Sequence, residues 1–313
     1  MFIRPMLAKR AEKPFSSPDW IFEAKWDGIR AIAFVDKKLS IRSRYNKELL
    51  HAFPELEELK ELVSESAILD GEIVVLHEGR PDFQLAIERL NAPQERISYL
   101  SRRFPASYVV FDILRRNKEW LLERPLMERR RILAEVLREG RHVAIADFVE
   151  EEGEAYFKAA LELGFEGIVA KHRASKYEPG KRSESWLKIK RIRSVDCIIA
   201  GFTPGKGARG ESFGALLLAL YEGKALRYVG KVGTGFDRAT LLSLRERLEK
   251  LRVAELALLG YEGGEASFVK PELVAEIAYD SVTRDLRLRM PRFVRLRSDK
   301  AAKECTLEQL FSG

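Results

Sequence analysis

Four short stretches carry ionisable side chains at spacings that suit chemistry on a phosphate. In FEAKWDGIRA, residues 22–31, Glu23, Lys25 and Asp27 share one parity and Phe22, Ala24 and Trp26 the other. A strand there presents three ionisable groups on one face and three apolar ones on the other. LDGEIVVL places Asp70 and Glu72 on one face of a second strand, and FEGIVAKH opens a third with Glu166 and ends it with Lys171. In SWLKIKR, Lys188 and Lys190 alternate with Leu187 and Ile189, so both ammonium groups leave the same side of a half-buried strand. Such a set can converge on one cleft. A nucleoside triphosphate needs cations on its phosphates, a divalent metal held by a few carboxylates, and an apolar or aromatic slot for the base. Lys188, Lys190, Arg30, Arg44 and Arg182 can supply the first, Glu72 and Glu166 the second, and Phe111 in YVVFDIL the third. A G-x-x-x-x-G-K-[ST] loop is absent, which disfavours a P-loop ATPase.

Strands must hold these residues, and period-two runs occur where they are needed. Strands are expected over 21–34, 38–44, 67–76, 107–114, 142–149, 166–172 and 185–191, with helices over 54–65, 83–90, 126–140 and 153–164. Several strands follow one another without a helix between them, which makes this an α+β pattern of mixed and antiparallel sheets with helices. After KRIRSV the texture changes. Short strands broken by TPGKGARGESFG and YEGKA, a charged helix DRATLLSLRERLEKL, and the strands LVAEIAYDSV and FVRLRSDK follow. They fit a small β-barrel of the OB type. The expected domains are 1–192 and 193–313, joined near residues 192–194.

Composition narrows the class. An apolar fraction of 46% over 313 residues is that of a folded chain. Lys and Arg number 55 against 48 Asp and Glu, and the net charge of +7 favours polyanionic partners. Two cysteines, Cys197 and Cys305, and four histidines without metal-ligand spacing argue against structural zinc. MFIRPMLAKR lacks the apolar core of a signal peptide, and no apolar run reaches the ~18 residues of a membrane span. The expected location is therefore the cytoplasm, with no membrane partner.

K-x-D-G alone recurs by chance in roughly 7% of chains this long, but here it stands first in an ordered series. KWDG, SRYN, LDGE, VFDIL, EGIVAK, SWLKIK and RLRSDK together resemble the motifs of the covalent nucleotidyltransferase superfamily, and most closely those of ATP-dependent DNA ligases. The likeness runs from RPMLAK to SDK and is greatest to the ligase module of bacterial end-joining enzymes. That module has an adenylation domain followed by an OB-fold domain. One departure is Asn46, where the second motif commonly has glycine; asparagine tolerates the same left-handed backbone.

The resemblance implies roles. Lys25 is the nucleophile that takes AMP from ATP as a phosphoramidate, its pKa lowered by bound Mg²⁺ (or Mn²⁺) and by Lys188 or Lys190. Glu23 meets the adenine amino group, Phe111 stacks on the base, and Arg30 and Glu72 address the ribose and its surroundings. Arg44 and Arg182 contact phosphate or DNA. Glu166, with Glu72, holds a metal, while Lys188 and Lys190 hold the α-phosphate. Arg297, Asp299 and Lys300 act on the leaving pyrophosphate from a barrel that closes over the site. Asp27, Asp70 and Lys171 are supporting residues. The implied partners are nicked or broken duplex DNA and a Ku-like end-binding protein, with the enzyme a monomer. RNA ligase or capping-type guanylyltransferase is the alternative chemistry, and a degenerate nucleic-acid-binding module the non-catalytic one. From strand texture alone, Phe111 reads as core and Glu72 and Glu166 as surface carboxylates; the motif context gives them function.

Overall fold

The stretch expected as one strand through Lys25 is interrupted. In the computed structural model, which describes residues 2–311, one strand ends at Ala24 and the next begins at Ile29. The chain divides into two compact units, Met1–Arg191 and Ile192–Gly313.

In chain order the first unit's strands are β1 (Leu7–Arg10), β2 (Ser17–Ala24), β3 (Ile29–Val35), β4 (Leu39–Ser43), β5 (Ala67–His77) and β6 (Arg80–Pro81). There follow β7 (Ala106–Arg116), β8 (Glu119–Trp120), β9 (Val143–Ile145), β10 (Phe148–Glu151), β11 (Gly167–His172) and β12 (Arg182–Lys190). Its helices are α1 (Leu59–Leu62), α2 (Phe83–Leu90), α3 (Gln94–Arg103), α4 (Leu126–Val136) and α5 (Gly153–Glu162). One sheet runs β1-β12-β11-β2-β10; the other runs β4-β3-β5-β7-β8, with β6 on β5 and β9 parallel to β7.

The break at Lys25 is thus a crossing from one sheet to the other. Glycine is needed to make it: a Cβ on Gly28 would stand 2.2 Å from the carbonyl oxygen of Ile73 in β5. The expected strand 142–149 divides in the same way, because β9 joins one sheet and β10 the other. The expected helix 54–65 is a 3-10 turn at Pro54–Glu58 followed by the single turn α1, which ends where Val63 turns to extended backbone. The spacing did not show α3 or the edge strand β1.

Strand parity then decides which side chains meet. On β3 and β5, Ile29, Ala31, Ala33, Leu69, Ile73 and Val75 pack into one core with Phe53, Tyr108 and Leu133. The opposite faces contribute Ile32, Ile68 and Val74 to a second cluster, with Met6, Val109, Phe111, Tyr177 and Trp186. Arg30, Asp70 and Glu72 have the parity of that second face. On the other sheet Phe22, Ile168, Ala170 and Ile189 pack with Ala160 of α5, which leaves Glu23, Lys171, Trp186, Lys188 and Lys190 with the opposite parity. The cluster drawn from both sheets is where these two polar faces converge.

The second unit contains β13 (Arg193–Pro204), β14 (Phe213–Glu222), β15 (Ala225–Val232), α6 (Arg238–Lys250), β16 (Arg252–Val253), β17 (Ser267–Val269), β18 (Val274–Tyr279), β19 (Ser281–Val282), β20 (Leu288–Arg289) and β21 (Arg292–Leu296). β13 is the spine: it pairs antiparallel with β14 along one edge and with β18, then β17, along the other. Phe202, Leu218, Leu244 of α6 and Ile277 share the core. Asp237 caps α6 by accepting from the Thr240 N–H at 2.7 Å.

Candidate active site

Glu23, Lys25, Arg30, Arg44, Glu72, Phe111, Arg182 and Lys188 line one cleft in the first unit, together with Leu7, Ala8, Trp26, Lys171 and Trp186. Lys25 lies one residue beyond β2 and still donates its backbone N–H to Gly167 at 2.9 Å. Its ammonium pairs with Glu166, whose other oxygen pairs with Lys190. One carboxylate therefore ties the first of the four stretches to the third and fourth.

The charge on Lys25 differs from expectation. Burial opposes it, but Glu166, followed by Glu72 and Asp27, outweighs burial and holds the pKa above the ordinary lysine value. A lowered pKa was expected from cations, and a carboxylate at contact has the opposite effect. Glu166 responds in kind: burial raises its pKa, Lys25 and Lys190 lower it, and the net is a stable carboxylate. Burial drives Glu72 up to about 7, against the pull of Arg30 and Lys25. Lys188 is lowered by burial and by the neighbouring cations Lys190, Arg182 and Lys25. Lys188 is thus a poorly neutralised cation in the cleft, suited to a phosphate.

On the inner wall Glu23, Lys171 and Arg30 are already paired. Glu23 is 3% exposed and takes Arg130 Nη1 at 2.9 Å on one oxygen and Lys171 Nζ at 2.6 Å on the other. Each oxygen keeps a lone pair for another donor. Lys171 stands 4.1 Å from the Phe111 ring centre and 4.3 Å from that of Trp186, and burial lowers its pKa. Arg30 grips Asp70 with two bonds, Nε to Oδ1 at 2.6 Å and Nη2 to Oδ2 at 2.7 Å. Tyr177 donates to the same carboxylate at 2.5 Å. The guanidinium of Arg30 also lies 4.4 Å over the Phe111 ring, so a base stacked on Phe111 has to share that ring with it or displace it.

Nearer solvent, Arg182 reaches the Ala8 carbonyl at 2.7 Å, which ties β1 to β12 beside the cleft. Arg44 is exposed and lies 4.5 Å over the Tyr45 ring. Asn46 adopts φ 65°, the conformation glycine commonly supplies. Arg297, Asp299 and Lys300 belong to the second unit. There Arg297 binds Asp196 and Asp299, and Lys300 pairs with Glu304 at 3.3 Å.

Residues 5–190 match the description "ATP dependent DNA ligase domain", and residues 209–300 match "ATP dependent DNA ligase C terminal region". The chain belongs to the ATP-dependent DNA ligase family. It is 35% identical over 312 residues to the multifunctional non-homologous end joining protein LigD of Mycolicibacterium smegmatis, covering 97% of this chain and 39% of that one. To a DNA ligase of Thermococcus onnurineus it is 34% identical, covering 98% of this chain and 58% of that one. The chain thus spans 39% and 58% of the length of these two curated relatives. Among solved structures, a mycobacterial DNA ligase D complexed with ATP and MES superposes with a TM-score of 0.53 at 29% identity, covering 97% of this chain and 98% of that one. The fold is that of the ligase core, a nucleotidyltransferase domain followed by an OB-fold domain, in the α+β class expected.

The resemblance implies a metal on the nucleotide. Among the described residues no group of three or more His, Cys, Asp or Glu side chains is gathered for a metal. Glu72 and Glu166 both act on Lys25, and a Mg²⁺ that arrives on a triphosphate needs only one or two carboxylates beside phosphate oxygens and water. The donor set fits that mode.

Sequence reasoning missed Arg129 and Arg130. Arg129 forms a two-bond pair with Asp112 at 2.8 Å on each side, with both residues fully buried. Arg130 supports Glu23. Leu126, Arg129, Arg130 and Leu133 recur at helical spacing on the buried face of α4; two arginines at core positions were the available signal.

Proposed function

We propose that this ligase-family chain seals breaks between 5′-phosphate and 3′-hydroxyl ends of DNA, using ATP through a lysyl-AMP intermediate on Lys25. The observation that carries the reading is the placement of Lys25: it is held at the cleft wall by Glu166, with Lys188, Arg182 and Phe111 in the same cleft. Lys188 and Lys190 bind the α-phosphate, and Arg30 and Glu72 orient the ribose. Glu23 and Phe111 receive the base, and Arg44 and Arg182 meet phosphate or DNA. Only a neutral amine attacks phosphorus. When Glu166 is drawn from Lys25, burial acts on the ammonium with less opposition and favours loss of its proton. The Nζ–P bond then forms as the Pα–O bond to pyrophosphate breaks, the protons of Lys25 passing to water, with Arg297, Asp299 and Lys300 of the second unit acting on the departing group. The AMP passes to a DNA 5′-phosphate, and a 3′-hydroxyl displaces it. Glu72 and Glu166 would hold a Mg²⁺ (or Mn²⁺), which would supply neutralisation of the developing negative charge. Relatives named for non-homologous end joining support a repair role on broken duplexes; a Ku-like partner and a nucleoid location are further parts of this proposal. No helix among the described residues is long and apolar enough to cross a membrane.

Incubation with each α-labelled NTP should leave label on the wild-type chain with ATP alone, and none on Lys25→Ala. Lys25→Arg should fail too, because a guanidinium stays protonated. Label transfer to Lys25→Ala at the normal rate sinks the assignment. Sealing of nicked RNA in preference to nicked DNA moves the substrate to RNA.

A further inference from the structure

Arg297 follows β21, where its backbone N–H donates to the Val274 carbonyl at 2.8 Å. Two carboxylates share its guanidinium. Asp299 takes Nε and Nη2, each at 2.9 Å, while both oxygens of Asp196 lie 3.0 Å from Nη1. Their settings differ. Asp299 lies in the turn after β21 with its side chain 62% exposed, whereas Asp196 is 14% exposed and sits on β13 in register with Glu276 of β18.

A phosphate takes an arginine best along a two-donor edge. The Nε–Nη2 edge of Arg297 now faces Asp299, an exposed turn residue that can rotate away. The Nη1 side faces Asp196, which a paired strand fixes. We propose that Asp196 is a positioning residue for Arg297: it holds Nη1 from β13 so that the Nε–Nη2 edge keeps one direction when Asp299 gives way to the phosphates of the leaving pyrophosphate. This rests on the reading that Arg297 serves the self-adenylation step. The positioning gain comes from a side chain immobilised before the nucleotide arrives, and it vanishes once pyrophosphate has left.

Asp196→Asn keeps the shape and removes the charge. Losing one charge-assisted hydrogen bond corresponds to about a tenfold or greater loss, expected in the rate of self-adenylation by ATP. Single-turnover sealing of a pre-adenylated nick should stay within about twofold of wild type, as a surface of the fold untouched by the change would. In an Arg297→Ala background Asp196→Asn should add nothing, because its target is gone, and Asp196→Glu should recover part of the loss. Equal losses in both steps, or a full additional loss in the Arg297→Ala background, overturn the proposal by showing that Asp196 acts through the fold. If Asp196→Asn melts early, the same step comparison on Asp196→Glu decides, with an unchanged adenylation rate counting against the proposal. Failure of the wild-type chain to take label from ATP refutes the ligase reading itself. Normal labelling of both wild type and Arg297→Ala leaves the ligase reading standing and overturns only this inference.

Discussion

The Lys25–Glu166 pair puts the proposed nucleophile in its unreactive form, and Glu166→Gln tests that directly. Gln keeps the shape of the side chain and removes its charge. The two side chains are 19% and 24% exposed, too sheltered for the near-zero contribution of a surface pair. A hydrogen bond to a charged group contributes about 1.5–3 kcal/mol, which corresponds to about a ten- to hundredfold change in an equilibrium. Without nucleotide, trace acetylation of the Lys25 amine in Glu166→Gln, followed by peptide mass spectrometry, should therefore run about ten- to hundredfold faster than in wild type, since only the neutral amine reacts. Glu72 and Asp27, which also favour the ammonium, pull the result toward the lower end. Self-adenylation by ATP should move the other way, because the variant loses a proposed metal ligand and the partner of Lys190. A faster chemical label with slower adenylation separates protonation from positioning. Equal labelling of Lys25 in both proteins would show that Glu166 does not hold the proton, and the account of the resting site would fall.

Other consequences can be read from melting and unfolding. Burial holds the Glu72 carboxyl at about 7 against an ordinary value of 4.5, so the folded chain retains a proton that the unfolded chain releases. That contribution to stability is present below the unfolded value and is lost as pH rises through about 7. Glu72→Gln, a permanent neutral mimic, should accordingly gain in Tm relative to wild type between pH 5 and pH 8 on the scale of that titration; a constant difference across the range contradicts the assignment. Arg129→Met leaves the Asp112 carboxylate buried without its ion-pair partner and should cost about 3–5 kcal/mol in urea unfolding. A loss below about 1 kcal/mol would place that pair in the surface class. Gly28→Ala puts a Cβ 2.2 Å from the Ile73 carbonyl oxygen, so it should lower both Tm and self-adenylation. A wild-type rate in that variant would mean that the crossing can shift without moving Lys25.

Much of the site was legible because it is built on strands whose alternation survives in the sequence. Lys188 and Lys190 against Leu187 and Ile189 gave the right faces, since Ile189 packs under α5 and Lys188 lines the cleft. What parity could not show was a change of sheet. Residues 21–34 and 142–149 each read as one strand, yet each passes between sheets within it, because the crossings, residues 25–28 and 146–147, are too short to break the pattern. Gly28 was the one local mark of it. Pairing inside the core was equally hidden: Arg129 and Arg130 belong to a charged helix by composition, and only their shared spacing with Leu126 and Leu133 places them inward.

The crossing also changes the reason for Lys25's position. A lysine in mid-strand would owe its direction to the pleat alone. This one follows the last residue of β2, anchored by its N–H on Gly167, and precedes a segment that must turn at Gly28 to enter the other sheet. Both sheets therefore fix it, and its neighbours on either side of the cleft come from different sheets: Glu166 and Lys190 from the ends of β11 and β12, Glu72 from β5. A nucleophile at such a junction responds to any shift of one sheet against the other. Packing changes in the cluster of Ile32, Phe111 and Trp186 that joins the sheets should thus reach Lys25 as readily as changes beside it, since precise placement of the attacking atom is worth orders of magnitude in rate.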